Sequence, residues 1–533
     1  MMSFTHLPIG MHDRNNNPTL DGKRAKGVGP VWIRPAGTAF LALAIVFGHA
    51  QKSLLQSKQS PVPLQTNTSI ESITTRLERD LPALMTAADV PGISIALIRN
   101  GNVPWVRGFG VKDSKSKDPV TNETVFEAAS LSKPVFAYAV LKLIDAGQLD
   151  LDKPLNQYLP GDYDVGPDAR LAQVTARRVL SHTTGFPNWR GADPKLKIYF
   201  TPGEKFSYSG EGFVYLSKVV EHITGEKLND FMKRLVFDPV GMPSSSYVWQ
   251  ERYDALKTSR HNALGEPSPQ IKATANAAAS LQTTARDYGR FLAALMNGNG
   301  LKPETLKNML TPQIRVDEGG ANTTARAADK LSPTIAWGLG VGLQTTADGV
   351  SFWHWGDNGD ARAYFVAYPR QKVGLVMFAN SSNGLSFLPE LVGEALGGQQ
   401  PAIAWIKYES YKSSKRMLLK NIQAKGAEAA LREYREWRKG RAADELLDEK
   451  QLNNFGYDLL YGMHRPKDAI EVFKLNVEDY PQSSNTYDSL GEAYKVDGNK
   501  EMAIKNYERS IELNPKNAGG IEALKKLREG PKQ

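Results

Sequence analysis

Strand-like segments stand at the two ends of one long stretch of this chain, with helical segments between them. The first two, residues 92–99 and 103–112, flank Asn100-Gly101, which is a strong hairpin signal between alternating apolar residues. Four more follow one another near the far end, at residues 335–345, 350–355, 362–368 and 373–380. This order predicts an α+β domain whose first and last segments share one antiparallel sheet.

Length and composition limit the other possibilities. The 533 residues exceed one ordinary core, so two or three domains are expected. The net charge of +9 is spread along the chain without a basic block interleaved with aromatic residues, so nucleic acid is not an expected partner. The chain has no cysteine, which excludes disulfides, thiol nucleophiles and thiolate metal sites.

The amino-terminal region has the build of a secretory signal peptide. Basic residues precede an apolar run over residues 36–47, and the small residues Gly48 and Ala50 then provide a cleavage pattern. The run is too short to span a bilayer comfortably. We therefore expect a signal peptide region over residues 1–50 and a polar linker over 51–67. The protein would be periplasmic or secreted, with no integral membrane span after processing. The long polar stretch before the apolar run leaves open a translation start downstream of the first residue.

The composition changes near the end of this stretch. Residues 396–450 are rich in Lys, Arg and Glu and are expected to form a helical linker. Residues 451–533 then show a 34-residue self-similarity typical of tetratricopeptide repeats. The recurring pairs are Ala469 and Ala503, Phe473 and Tyr507, and Pro481 and Pro515. Two units rarely stand alone, so the helices of the linker are expected to extend or cap them. The repeats would serve either packing and self-association or a protein partner.

Ser130 and Lys133 form a Ser-x-x-Lys pattern at the start of a helix predicted over residues 131–146. Positions i and i+3 share a helix face, so the lysine amine can reach the serine hydroxyl. A desolvated lysine loses its proton readily and can then accept one from serine, while the helix N-terminus favours the developing negative charge. The pattern alone is also compatible with an N-cap serine and a surface lysine.

Two further motifs accompany this pair. Tyr208-Ser209-Gly210 follows a Pro-Gly loop, and His354-Trp355-Gly356-Asp357 continues a predicted strand. Further matching segments are 180–185, 241–242, 283–287 and 337–340, together with Asn380. Over about residues 68–395 the chain therefore resembles the penicillin-recognising serine hydrolases. That family includes class C β-lactamases, D-alanyl-D-alanine carboxypeptidases and family VIII esterases.

The resemblance implies a β-lactamase/transpeptidase-like fold, in which an antiparallel sheet is flanked by helices and an all-helical lobe. It implies Ser130 as the nucleophile, Lys133 as its activator and Tyr208 as the group that passes a proton to the leaving group. No cofactor and no metal is expected.

The resemblance also places the substrate along the late strand. His354, Trp355 and Gly356 would line the strand edge beside the substrate. The backbone N–H groups of Ser130 and Asp357 would form the oxyanion hole, because acyl transfer needs two donors aimed at the developing charge.

Two departures from the family pattern concern the substrate. Gly210 stands where an asparagine usually contacts a substrate amide, and Trp355 stands where a hydroxyl residue usually helps to hold a carboxylate. The sequence therefore predicts an exported serine hydrolase that acts through an acyl-enzyme on small esters or amides. The alternative among enzymes is a β-lactamase or D-alanyl-D-alanine carboxypeptidase. The alternative of another class is a non-catalytic cell-wall or drug sensor with a repeat-based partner site.

Overall fold

The computed structural model describes residues 62–161, 163–191, 193–321, 330–442 and 445–529. The predicted signal peptide region, and the part of the predicted linker that precedes residue 62, lie outside these ranges. Within the described ranges, no helix is both long enough and apolar enough to cross a membrane.

An antiparallel sheet of eight strands organises the first part of the chain. Its strands are β1 (Gly92–Arg99), β2 (Asn102–Gly110), β7 (Ile314–Asp317), β8 (Leu331–Trp337), β9 (Gly342–Thr346), β10 (Gly349–Asp357), β11 (Arg362–Tyr368) and β12 (Val373–Ala379). Their order across the sheet is β2-β1-β12-β11-β10-β9-β8-β7. Two small ladders pair β3 (Phe126–Glu127) with β6 (Gln282–Thr283), and β4 (Arg260–His261) with β5 (Pro267–Ser268).

Helices α1 to α10 belong to the same part of the chain as the sheet, and helices α11 to α18 follow it. The first group is α1 (Ile70–Ala87), α2 (Ser132–Asp145), α3 (Ala176–Leu180), α4 (Gly210–Thr224), α5 (Leu228–Met232), α6 (Asp238–Val240), α7 (Tyr253–Leu256), α8 (Ala285–Met296), α9 (Pro303–Met309) and α10 (Leu388–Ala395). The second group is α11 (Pro401–Ile406), α12 (Ser414–Lys425), α13 (Ala427–Trp437), α14 (Glu449–Tyr457), α15 (Pro466–Asp479), α16 (Ser484–Val496), α17 (Lys500–Leu513) and α18 (Ala518–Glu529).

The first and last strands of the domain are neighbours in the sheet. β1 pairs with β12, beginning with Ile93 opposite Ala379. β2 follows β1 through a tight hairpin in which Asn100 and Gly101 have φ angles of 51° and 70°. Asparagine and glycine adopt this left-handed conformation at the least cost. These pairings confirm the predicted α+β domain, with its first and last segments in one antiparallel sheet.

The pleat of β1 divides its side chains between two hydrophobic cores. Ile93, Ile95 and Leu97 pack on one face of the sheet with residues of α1 and α10. Ala96 and Ile98 pack on the other face with residues of α2, α8 and the helical lobe. Because successive strand residues point to opposite faces, one strand can join both layers of the domain.

One predicted strand is wrong. Residues 335–345 do not form a single strand but end β8 and begin β9, with Trp337 opposite Gly342. Gly340 lies in the turn between them with a φ of 84°, and a Cβ atom there would lie 2.2 Å from Cβ of Ala137 in α2. The glycine-rich run is thus a tight turn against a helix, where a larger residue would collide.

The helices after the sheet form a hydrophobic core of their own. Buried residues of α12 to α17 make up this core, among them Leu418, Leu431, Phe455 and Phe473. Helices α12 and α13, from the predicted linker, therefore pack together with the helices of the predicted repeats. α17 begins 34 residues after α15, and α18 begins 34 residues after α16. The predicted helical C-terminal region is confirmed, and its assignment to tetratricopeptide repeats stays a prediction.

Candidate active site

Ser130 lies in a short 3₁₀ turn directly before α2. The preceding residue, Ala129, has a φ of 49°, a left-handed conformation that is uncommon for a residue with a side chain and costs free energy. The hydroxyl of Ser132 donates to the carbonyl of Ala129 at 2.6 Å and accepts from the backbone N–H of Leu281 at 2.9 Å. These bonds hold a strained turn that presents Ser130 at the N-terminus of a buried helix.

Lys133 lies one helical turn beyond Ser130, on the same face of the helix. Its Nζ is 2.9 Å from Oγ of Ser130 and donates to the carbonyl oxygen of Ala278 at 2.9 Å. The side chain is fully buried, and this burial lowers the pKa of the Lys133 amine well below its usual value. A buried amine that has lost its proton can accept one from the neighbouring hydroxyl.

Tyr208 precedes α4, and its ring covers the lysine amine. The ring centre lies 4.7 Å from Nζ of Lys133, and the hydroxyl lies 3.5 Å from Nε2 of His354. Burial raises the pKa of the Tyr208 hydroxyl, and a hydrogen bond with Ser130 opposes that shift only in part. The hydroxyl therefore keeps its proton in the free site and lies within reach of both the nucleophile and β10.

His182 fixes the position of this tyrosine. The two rings stack with their centres 4.2 Å apart, and Nδ1 of His182 accepts a hydrogen bond from the backbone N–H of Ser209 at 3.0 Å. Burial lowers the pKa of His182 well below its usual value. The ring is therefore neutral and acts as a support for Tyr208.

The end of β10 runs past the nucleophile turn. β11 pairs with β10 as far as Asp357, whereas β9 pairs with it only from Gly349 to Trp353. A Cβ atom on Gly356 would lie 2.6 Å from the carbonyl oxygen of Ala128 and 3.2 Å from Cβ of Ala129. Glycine is thus the residue that allows the strand to approach the nucleophile turn this closely.

His354 is a neutral neighbour of the reactive groups. Its Nδ1 lies 2.7 Å from the carbonyl oxygen of Trp355, so Nδ1 carries the proton and donates there. Burial lowers the pKa of His354 to about 3. The other ring nitrogen, Nε2, is therefore free to accept a hydrogen bond from the Tyr208 hydroxyl.

The carboxylate of Asp357 is held by groups other than Ser130, Lys133 and Tyr208. Its Oδ1 accepts from the backbone N–H of Gly359 at 2.9 Å and contacts the guanidinium group of Arg362. Its Oδ2 accepts from the hydroxyl of Tyr408 at 2.5 Å. Three groups thus fix the side chain of Asp357, while its backbone continues β10 past the nucleophile turn.

Two tryptophans give the mouth of the site an apolar character. Trp189 is 43% exposed, and its ring centre lies 6.0 Å from Nζ of Lys133. A Cβ atom on Gly210 would lie 2.7 Å from the Trp189 ring. This indole therefore fills the space beside Gly210, the position where the family pattern has an asparagine. The ring of Trp355 lies with its centre 4.9 Å from that of Tyr208. Both indoles therefore border the reactive groups.

The structure brings the predicted residues together: the turn with Ser130, the amine of Lys133, the hydroxyl of Tyr208 and residues 354–357 share one site. Sequence reasoning missed Trp189, Trp405 and Tyr408. The signal for Trp189 was a lone indole in a polar loop directly after the matching segment 180–185. Trp405 and Tyr408 lie beyond the predicted domain, and only the folded chain shows that they lie close to Trp355 and Asp357.

Comparisons with known proteins point to one family. A model described as Beta-lactamase matches residues 77–394. A protein named Penicillin-binding protein 4 from Amycolatopsis lactamdurans is 28% identical over 340 residues, which cover 59% of this chain and 87% of that protein. Protein flp from Staphylococcus aureus is 22% identical over 353 residues, covering 61% of this chain. The match spans 66% of that relative's length, slightly under two thirds.

Solved structures show the same fold. An octameric penicillin-binding protein homologue from Pyrococcus abyssi aligns with a TM-score of 0.51 and 21% identity, covering 66% of this chain and 82% of the other. A class C beta-lactamase aligns with a TM-score of 0.52 and 19% identity, covering 62% of this chain and 99% of the other.

Proposed function

Because the chain belongs to the Beta-lactamase family, a family of serine hydrolases, we propose that it cleaves small esters or amides through an acyl-enzyme on Ser130. One observation carries the proposal: Nζ of Lys133 lies 2.9 Å from Oγ of Ser130 in a buried site. A serine nucleophile needs an adjacent base, and a buried lysine with a lowered pKa can supply one.

Acylation begins when Oγ of Ser130 attacks the carbonyl carbon of the substrate. The hydroxyl proton passes to the neutral amine of Lys133, and a bond forms between Oγ and the carbonyl carbon. Negative charge then develops on the carbonyl oxygen. In this proposal the backbone N–H groups of Ser130 and Asp357 donate to that oxygen, which stabilises the transition state more than the ground state.

Tyr208 completes the proton transfer. Its hydroxyl is protonated because burial raises its pKa, so it can give its proton to the leaving oxygen or nitrogen. The bond between the carbonyl carbon and this leaving atom then breaks. The amine of Lys133, 4.7 Å from the centre of the tyrosine ring, passes the proton taken from serine to the Tyr208 oxygen, which restores both groups. Water then attacks the acyl-enzyme with the same groups acting in reverse, which releases the acid and restores the Ser130 hydroxyl.

The shape and polarity of the mouth favour apolar substrates. The indoles of Trp189 and Trp355 present large apolar faces, whereas a penicillin or a D-alanine peptide brings a carboxylate that needs donors. A lost hydrogen bond to a charged group costs about 1.5–3 kcal/mol, or about ten- to a hundredfold in selectivity. We therefore propose short-chain esters as better substrates than penicillins or cephalosporins.

Turnover of nitrophenyl butyrate and nitrocefin by the same preparation tests this preference. We expect a higher kcat/KM for the ester, with neither substrate turned over by Ser130→Ala. Faster hydrolysis of nitrocefin would favour the β-lactamase or carboxypeptidase alternative, which the similarity to a protein named Penicillin-binding protein 4 supports. Hydrolysis of neither substrate by the unmodified protein would favour the sensor.

Export is also part of the proposal. The apolar run over residues 36–47, followed by Gly48 and Ala50, supports a signal peptide that is removed before Gln51. Amino-terminal sequencing of exported protein should find a start near Gln51. Active protein that keeps its first residues in the cytoplasm would contradict export.

A further inference from the structure

The chain segment that follows the family domain returns to the proposed active site. This segment, residues 401–408, lies beyond the family match at 77–394 and is called here the post-domain segment. It consists of α11 and a turn in which Lys407 has a φ of 55°, the left-handed conformation that reverses the chain direction. The turn places the next residue, Tyr408, over the end of β10.

Trp405 fastens the post-domain segment to the sheet. It is only 5% exposed, and its Nε1 donates to the carbonyl oxygen of Asp317 at 2.7 Å. Its ring centre lies 5.9 Å from that of Trp355 and 5.8 Å from that of Trp353. The indole therefore stands behind Trp355 and limits how far that residue can move from the mouth of the site.

Tyr408 reaches the strand end itself. Its hydroxyl donates to Oδ2 of Asp357 at 2.5 Å, and the guanidinium of Arg362 lies 5.6 Å from its ring centre. Burial and the charge of Asp357 raise the pKa of the Tyr408 hydroxyl, so it stays a donor at all ordinary pH values. The carboxylate of Asp357 is thus held by three groups, the backbone N–H of Gly359, Arg362 on β11 and Tyr408 from outside the family domain, and Tyr408 is the one that bonds to Oδ2.

We propose that Tyr408 is a positioning residue of the active site, which fixes the backbone of Asp357 through its carboxylate while Trp405 backs Trp355. The inference rests on the proposed function, because it takes the backbone N–H of Asp357 as an oxyanion donor. A donor that shifts by a fraction of an ångström loses much of its stabilisation of the transition state. The active site is therefore incomplete without the post-domain segment.

The C-terminal helices contact the post-domain segment from its other side. Glu409, the next residue, lies 3.5 Å from Nζ of Lys415 at the start of α12. The same amine lies 2.7 Å from Oδ2 of Asp458, among the later helices. The segment is thus fastened to the sheet through Trp405, whereas its link to the helical region consists of partly exposed ion pairs that add little to its position.

Tyr408→Phe in the full-length protein tests the proposal. It removes one hydroxyl and keeps the ring, so we expect a folded protein whose thermal midpoint is only a few degrees lower. For nitrophenyl butyrate, kcat should fall about tenfold with little change in KM, because the lost interaction acts only in the transition state. The matched control is Tyr411→Phe, the same change three residues further along, where the backbone N–H bonds to Ser386. This control should keep the full kcat.

A double-mutant cycle with Asp357→Asn separates positioning from unrelated effects. If the hydroxyl acts through the carboxylate, the double variant should be no slower than the slower single variant. Additive losses, an unchanged kcat in Tyr408→Phe, or a rise in KM alone would overturn the positioning role. Turnover by Ser130→Ala in the same assay would instead overturn the proposed function, and the inference with it.

Discussion

The sheet domain and the C-terminal helices bury polar side chains in different ways. In the sheet domain, Lys133, His182 and His354 are buried around one tyrosine, and burial shifts the pKa of each towards the neutral form. In the helices, the buried side chains of Asn476 and Ser510 instead donate to backbone carbonyls of neighbouring helices at 3.1 and 2.8 Å. The first arrangement gathers groups that can exchange protons. The second provides hydrogen bonds to backbone carbonyl groups at the contacts between helices.

This difference shows which part of the molecule gives up stability of the folded state for chemistry. Burying ionisable groups together destabilises the folded chain, and such a cost persists where it serves chemistry. The helices carry no comparable cluster among their described residues. We therefore expect changes in the sheet domain to affect the rate of hydrolysis, and changes in the helices to affect stability, assembly or a partner.

The largest effects should come from the reactive groups. Ser130→Ala should abolish ester hydrolysis, because no other group replaces the nucleophile. Lys133→Ala and Tyr208→Phe should each lower kcat/KM by about 10²–10⁴-fold, the usual scale for positioned proton-transfer groups. Tyr199→Phe, the same change at a half-exposed tyrosine, is the matched control. Steady-state rates with unchanged melting curves test this, and unaltered rates in the three site variants would refute the mechanism.

The pH dependence should follow Lys133 alone among the buried bases. The neutral amine is the base, so kcat/KM should fall as the pH is lowered through the lowered pKa of Lys133. His354, with a pKa of about 3, is neutral throughout the assay range and should add no inflection. One ascending limb is expected as the pH rises through the lowered pKa of Lys133. An activity that rises towards acid pH would contradict a neutral lysine base.

Substrate preference should respond to a single change at Trp355. Trp355→Thr introduces a hydroxyl that can donate a hydrogen bond to a substrate carboxylate, so the ratio of nitrocefin to ester turnover should rise about tenfold. Trp355→Val has the shape of threonine without the hydroxyl, and it should not raise this ratio as far. Gly210→Asn is a poor companion change, since a Cβ atom there would meet the Trp189 ring at 2.7 Å. Equal ratios in the Thr and Val variants would rule out the hydroxyl as the cause.

The smallest effect should follow removal of the C-terminal helices. A chain that ends after Lys412 keeps the post-domain segment and loses the whole helical core, whereas a cut near residue 451 would divide α14. The lost contacts include the surface pair of Lys420 with Asp89, worth about 0–1 kcal/mol, and the bond of the Arg416 guanidinium to Asn383, so the truncated chain should also be less stable. We expect kcat/KM to stay within about fivefold. Inactivity of this truncated chain, when it is soluble and folded, would show that the helices help to build the site.

Local sequence patterns predicted the parts of the site that depend on contacts between residues close together in the sequence. The spacing of Ser130 and Lys133 fixes their contact through helix geometry, and the ordered motifs identified the penicillin-recognising family, which the family match confirms. The turn at Gly340 was missed because the alternation of glycine with larger apolar residues continues through it. Tyr408 was missed because its partner lies 51 positions earlier and sequence spacing carries no information on such a contact.

Covalent labelling tests the central claim most directly. Oγ of Ser130 should attack the phosphorus atom of a fluorophosphonate and displace fluoride, and peptide mass spectrometry should find the added phosphonyl mass on the peptide that contains this residue. The labelling rate should fall as Lys133 is protonated at lower pH and should be lost in Ser130→Ala. Labelling of a different serine, or labelling that persists in Ser130→Ala, would contradict an acyl-enzyme on Ser130.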